Sequence, residues 1–331
     1  MTHLQETKKD RIIQTLRTLA IFFLLAGLLY FALRNAPLVD IWKTLNKLKL
    51  WQIFTLLGIN ILIYLLITLR WWLILHTENK KISFLPLLAI RVSVFGISYF
   101  TLGPQVGGEP LQVLYLERKH GMTYTRATST VVVDKLLEFL ANFILLSVGL
   151  TAIFQAGVLS ANDGSSFLSL LGLIILLSWP PVHIILLYQG KYPVSTILRK
   201  FSNNKTVRFI AASERLAGIF YHRHLSSLLA AIVVSILGAI GMLSEYFMMT
   251  SFLGIHLPFW QTIAAWTAGW LAFLIPLPGG LGALEASQVF AFGTFGISAA
   301  SAIGVALLIR ARDLLIGGLG LLIASREVNK E

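Results

Sequence analysis

The sequence predicts an all-α polytopic membrane protein with about six full transmembrane helices plus two oppositely oriented re-entrant hairpins, related as an inverted repeat. Three observations carry this expectation. Of 331 residues, 56% are hydrophobic and only 13% charged, and the mean hydropathy is +0.77, too little charge to cover a soluble chain. Several apolar runs approach or exceed the roughly 20 residues that cross about 30 Å of hydrocarbon. Two Pro-Gly interruptions, "GPQVGGEP" (103–110) and "IPLPGGLGALE" (275–285), fall at matching places in the two halves.

The apolar segments run over 18–33, 51–75, 84–102, 127–154, 167–188, 226–253, 258–277, 283–296 and 298–324. The first, preceded by Lys8, Lys9, Arg11 and Arg17, reads as a retained signal anchor because no small-x-small cleavage pattern follows it. Arg199, Lys200, Lys205, Arg208, Arg215 and Arg223 make the 190–225 connector strongly basic, hence cytoplasmic. "QAGVLSANDGSS" (155–166) and "LGIHLP" (253–258) hold no lysine or arginine and face outward, whereas both termini lie inside. The 70–83 hairpin (Arg70, Lys80, Lys81) and "ERKHGMTYTR" (117–126) both read as cytoplasmic, yet only the run 84–102 separates them. A hairpin that enters and returns on the cytoplasmic side satisfies both, with 103–110 at its tip. By the same count 258–296 enters from the outer side, with "PLPGG" at its tip. The 34–50 connector carries Arg34, Lys43, Lys47 and Lys49 on the outer side, against the charge rule, and reads as an interfacial helix. Trp51, Trp71, Trp72, Trp179, Trp260 and Trp266 sit mainly at segment ends, as interface belts require.

The chain thus reads as one transmembrane domain, 1–331, with a first repeat at about 50–155, the basic connector, and a second repeat at about 226–325. Pro104, Gly107 and Gly108 match Pro276, Gly279 and Gly280 at an offset of 172, and a glutamate follows each set, Glu109 and Glu285. Twenty-five residues beyond each glutamate stands a charge inside a helix, Asp134 in one copy and Arg310 in the other. Broken helices at equivalent places in two halves mark transporter-like sites.

Charges at mid-bilayer cost about 2.5–3.5 kcal/mol each, so each needs a partner or water. Asp134 and Glu138 share a helical face, and Arg310 and Asp313 stand close enough to pair along their helix. Lys135 and Arg312 are expected to snorkel to the headgroups. Glu109 and Glu285 open half-helices, where dipole capping is worth only about 0.3–1 kcal/mol, so each carboxylate also needs a proton, a wet cavity or a cation such as Arg91 or Arg310. The candidate substrate path is therefore Arg91, Gly107, Gly108, Glu109, Asp134, Glu138, Gly279, Gly280, Gly282, Glu285, Arg310 and Asp313.

Other chemistry is thin. The net charge of +12 lies in connectors, which argues against nucleic acid. There is no cysteine, hence no thiolate site, and His222 and His224 lack acidic companions for a metal. "PGGLG" lacks the lysine and the strand–helix context of a phosphate loop. No nucleophile–base group can be assembled, so neither enzymatic activity nor a cofactor is expected.

The stretches "GPQVGGEPLQVLYLERKHGMTYTRATSTVVVDKLLEF" (103–139) and "IPLPGGLGALEASQVF…LLIRARDLL" (275–315) resemble the lysylphosphatidylglycerol synthase transmembrane family, a flippase-like group that includes the membrane half of the multiple peptide resistance factor. The resemblance spans about 15–325 and places family-like roles on Gly108, Glu109, Gly121, Asp134 and Glu138, and on Pro278, Gly279, Gly280, Gly282, Glu285 and Arg310. In the first turn "PQVGGEP" stands where an arginine-containing variant is common. The resemblance implies a lipid-linked role in a bacterial inner membrane: translocation of an anionic, aminoacylated or polyprenyl-linked lipid with a phosphate-bearing headgroup. The alternative is a non-transporting partner that docks a lipid-modifying or glycosyl-transferring enzyme at the cytoplasmic face through the basic connector. "GGLG" (317–320) would let helices pack closely, within the fold or in a homodimer.

Overall fold

A computed structural model describes residues 38–78, 81–101, 107–155, 178–201, 204–274, 278–280 and 282–329. The first apolar run, Pro104, Pro276 and most of 155–177 lie outside the described residues.

A short amphipathic helix, α1 (Leu38–Leu45), leads into α2 (Leu50–Glu78), α3 (Phe84–Phe100), α4 (Glu109–His120) and α5 (Tyr124–Gln155). A helix at 178–188 (α6) precedes α7 (Pro193–Phe201) and α8 (Lys205–Arg223), so the basic connector is itself helical. Then follow α9 (Leu225–Phe252), α10 (Phe259–Ala272), a 3₁₀ turn at Pro278–Gly280, α11 (Ala283–Thr294) and α12 (Ala299–Asn329). Among the described residues there is no strand. Among the described residues three helices, α2, α5 and α9, are long and apolar enough to cross a membrane. The 31-residue α12 matches them in length but carries Arg310, Arg312 and Asp313 within it.

Local chemistry sets the helix ends. Pro110 in the first turn of α4 needs no hydrogen-bond partner there, and Gly121 ends the helix with left-handed backbone, its N–H donating to the Glu117 carbonyl. The Asn204 side chain caps α8 by accepting from the Val207 N–H. At 17 and 14 residues, α3 and α10 are about 26 and 21 Å long at 1.5 Å per residue, short of the hydrocarbon thickness.

Each half has its own core. Trp71, Leu75, Leu87, Ile90, Val94, Leu116 and Ala127 join α2 to α5. Tyr246, Met249, Ala265, Leu284, Phe292, Val305 and Ile309 join α9 to α12. The halves also exchange helices. The helices that open each half, α2 and α9, pack on each other; α3 lies on α12, and α10 lies on α5. Tyr99, Phe100 and Leu321 fill the first crossing, and Ala152, Ile153, Ile263 and Ala264 the second. Gly317 and Gly320 serve the α3–α12 crossing within the chain, and a Cβ added at Gly96 would lie 2.6 Å from the Gly317 carbonyl oxygen.

Candidate functional site

The polar interior is built from side chains that apolar helices carry inward. In the first half, Asp134 is fully buried and accepts from two arginines on different helices: Arg70 Nε at 2.7 Å and Arg91 Nη2 at 2.6 Å. Arg70 also reaches Glu138 Oε2 at 3.0 Å, while Lys135 Nζ bridges Glu138 at 2.9 Å and Glu109 at 3.1 Å. Three cations thus face three carboxylates, and Arg91 lies over the ring of buried Trp71, 5.3 Å from its centroid. Glu109 Oε2 accepts the Gly107 N–H at 2.8 Å, so the carboxylate that binds Lys135 also caps its own half-helix.

The second half repeats this logic. Glu285 takes a two-pronged contact from Arg310, Nε to Oε1 and Nη2 to Oε2 at 2.6 Å, and its Oε2 accepts the Gly282 N–H at 3.1 Å. Arg310 further donates to the Gly279 and Gly280 carbonyls at 3.0 and 3.2 Å, so the arginine of α12 pins the broken segment. Gly279 has left-handed backbone, φ 59°, and a Cβ there would lie 3.1 Å from the Tyr99 ring at the end of α3. The second break therefore touches the helix that leads into the first.

A third group completes the set. Arg312 donates to Glu245 Oε2 at 2.6 Å and to Asp313 Oδ1 at 2.8 Å, and Asn60 Nδ2 donates to Glu245 Oε1 at 3.1 Å.

Between the halves lies a cavity of about 230 Å³. Arg70, Arg91, Glu109, Lys135 and Glu138 line one side; Glu245, Arg312 and Asp313 line the other. Apolar wall comes from Ile63, Phe95, Met249, Trp266, Trp270 and Phe273. Of the candidate substrate-path residues, Arg91, Glu109, Glu138 and Asp313 reach this cavity. Asp134 sits behind it, holding Arg70 and Arg91. Gly107, Gly108, Gly279, Gly280, Gly282, Glu285 and Arg310 do not line it; they build the two half-helix starts beside it. Gly108 is required there by close approach, since a Cβ would collide with the Val94 carbonyl.

Four sequence expectations need correcting. Lys135 and Arg312 do not snorkel but turn inward to carboxylate pairs, because those pairs offset the cost of burial better than a distant headgroup. Arg310 pairs with Glu285, not Asp313, whose partner is its neighbour Arg312. Arg70 is not in a cytoplasmic hairpin: α2 runs on to Glu78 and leaves it 2% exposed. Trp71 is not an interface tryptophan but a fully buried platform for Arg91. Asn60 and Asn142 also line the cavity, and a sequence reading that follows formal charge passes over them because their amides are neutral.

Long apolar helices, paired buried charges and a two-sided polar cavity define a helical membrane protein with a polar interior. The chain belongs to the lysylphosphatidylglycerol synthase transmembrane family: the family model for the lysylphosphatidylglycerol synthase TM region matches residues 17–320. That membership ties the chain to lipid modification in a membrane. No similar curated protein and no similar solved structure was found.

Proposed function

We propose that this chain is a lipid translocase, without enzymatic activity, that carries a phosphate-bearing lipid headgroup through the cavity between its two halves. The cavity carries the reading: about 230 Å³ suits a headgroup but not a two-tailed lipid, so acyl chains stay in the bilayer while the polar end crosses. Arg91 and Lys135 supply positive charge for the phosphate at the side nearer the first broken hairpin. Glu109 and Glu285 each hold a helix start and a cation together, so protonation of either carboxylate would loosen both of its contacts and deprotonation would restore them.

The topology that goes with this function is an inverted repeat in a bacterial inner membrane, with both termini cytoplasmic and the two hairpins entering from opposite faces. Three features support it: the short arms α3 and α10, the reciprocal pairs α3–α12 and α10–α5, and the matching bonds of Glu109 to Lys135 and Glu285 to Arg310. Reconstitution into vesicles with fluorescent anionic or polyprenyl lipids tests the function. Wild-type protein is expected to move lipid between leaflets, and the Glu109→Gln/Glu285→Gln variant to lose most of that rate. A purified protein that moves neither lipid class sinks the proposal.

A further inference from the structure

The basic connector is more than a charged linker. The exposed residues of α8 are Lys205, Arg208, Ala212, Arg215, Ile219, His222 and Arg223 apart from Thr206, and at 100° per residue those seven fall within one stripe about 100° wide. The opposite face, Val207, Ala211, Glu214, Gly218 and Tyr221, is buried against α5 and α6. None of the four stripe arginines and lysines makes an ion pair among the described residues, although uncompensated like charge along one helix face is unfavourable.

The preceding helix, α7, is fixed beside this stripe. Glu214 accepts the Val194 and Ser195 N–H groups at 3.1 and 2.9 Å, so the only carboxylate of the connector is spent on capping α7. Burial raises its pKa, but the His183 ring nitrogen 3.3 Å away and the N–H groups of Ser195 and Val194 outweigh that and hold it below the usual carboxylate range. On α7, Ile197 and Phe201 stand one turn apart and are 51% and 84% exposed, with Arg199 and Lys200 exposed next to them. Exposed apolar side chains flanked by cations are the make-up of a helix that lies in a headgroup layer. The location agrees: α8 packs beside Glu78 and Arg126, where α2 ends and α5 begins, and Phe209 meets Tyr124 ring to ring at 5.4 Å.

We infer that α7 and α8 form a docking platform for anionic phospholipid, with Ile197 and Phe201 in the acyl–headgroup boundary and Lys205, Arg208 and Arg215 on the phosphates. The occupant is a lipid surface rather than an acidic protein because the exposed apolar Ile197 and Phe201 bracket the exposed cations Arg199 and Lys200 on α7, and because the end of α2 and the start of α5 lie beside α8. The inference stands apart from translocation and rests only on membrane insertion.

The absence of cysteine makes a direct test available. Spin labels at Ile197→Cys and Phe201→Cys in the full chain are read in vesicles of phosphatidylcholine with and without phosphatidylglycerol. Both labels are expected to be more accessible to oxygen than to a water-soluble nickel chelate. In parallel, phosphatidylglycerol retained on the purified chain is counted by native mass spectrometry. The Lys205→Gln/Arg208→Gln/Arg215→Gln variant is expected to lose its preference for phosphatidylglycerol over phosphatidylcholine by about tenfold or more, because three cations near the phosphates are removed. Nickel-accessible labels in phosphatidylglycerol vesicles overturn the inference and hand this face to a protein partner. Unchanged retention in the triple variant overturns it as well. If the triple variant fails to fold, the labels on the otherwise native chain still decide.

Discussion

Asp134 shows how one residue organises a site. It is fully buried, and its two oxygens are taken by arginines from α2 and α3, so one carboxylate ties three helices together. Breaking a buried pair by removing one partner costs about 3–5 kcal/mol, because the remaining charge stays in low dielectric. Asp134→Asn strands parts of two arginines and is expected to fall in that range, read as a large drop in melting temperature in detergent. Asp313→Asn is the informative contrast. Arg312 keeps Glu245 after that change, so the loss should be smaller, about 1.5–3 kcal/mol, the size of one hydrogen bond to a charged group. Equal losses in the two variants would refute this account of which charges hold the fold. Asp134, Glu138 and Glu109 are legible in the sequence because a carboxylate in an apolar run is costly and needs a reason. Arg70 is not, because Lys80 and Lys81 follow it closely and charge counting assigns all three to one connector. Lys135 misleads for a similar reason: a long stem can reach a headgroup or a carboxylate, and only the packing of α4 on α5 decides which.

At the scale of elements, the α3–α12 crossing depends on an absence of side chains. A Cβ at Gly320 would penetrate the Val92 carbonyl, which is backbone and cannot rotate aside, whereas nothing lies within 4 Å of one at Gly318. Overpacking of this kind costs about 1–3 kcal/mol. Gly320→Ala is therefore expected to lower the melting temperature, while Gly318→Ala leaves it level or raises it, since alanine gains about 0.8–1 kcal/mol over glycine in a helix interior. A destabilising Gly318→Ala with a silent Gly320→Ala would place the crossing elsewhere. The short "GGLG" run signals close packing but not its partner: the motif fits a second chain as well as Gly96. The short helices α3 and α10 are easier to read, because proline and glycine end helices by steric rules that need no tertiary context. The helices α7 and α8 are harder, because in a connector read for its charge the helical period of the basic residues passes unused.

For the molecule as a whole, the exchange of helices between halves constrains the proposed translocation. Because α3 lies on α12 and α10 lies on α5, each half holds one arm of the other, and the cavity sits where they meet. In the proposed translocation, opening the cavity to either side requires the two crossings to slide or tilt. A bridge at either crossing blocks this. Cysteines at Phe100 and Leu321, packed in one cluster, would span the first crossing, and cysteines at Ile153 and Ile263 the second. With a short bifunctional thiol reagent, each bridged protein is expected to lose at least about tenfold in lipid movement, a barrier change of about 1.4 kcal/mol or more. Cleavage of the bridge should restore the rate, which separates restrained motion from damage by the substitutions. Full lipid movement with both crossings bridged would show that the halves stay fixed on each other, and that a headgroup passes along a static groove between them.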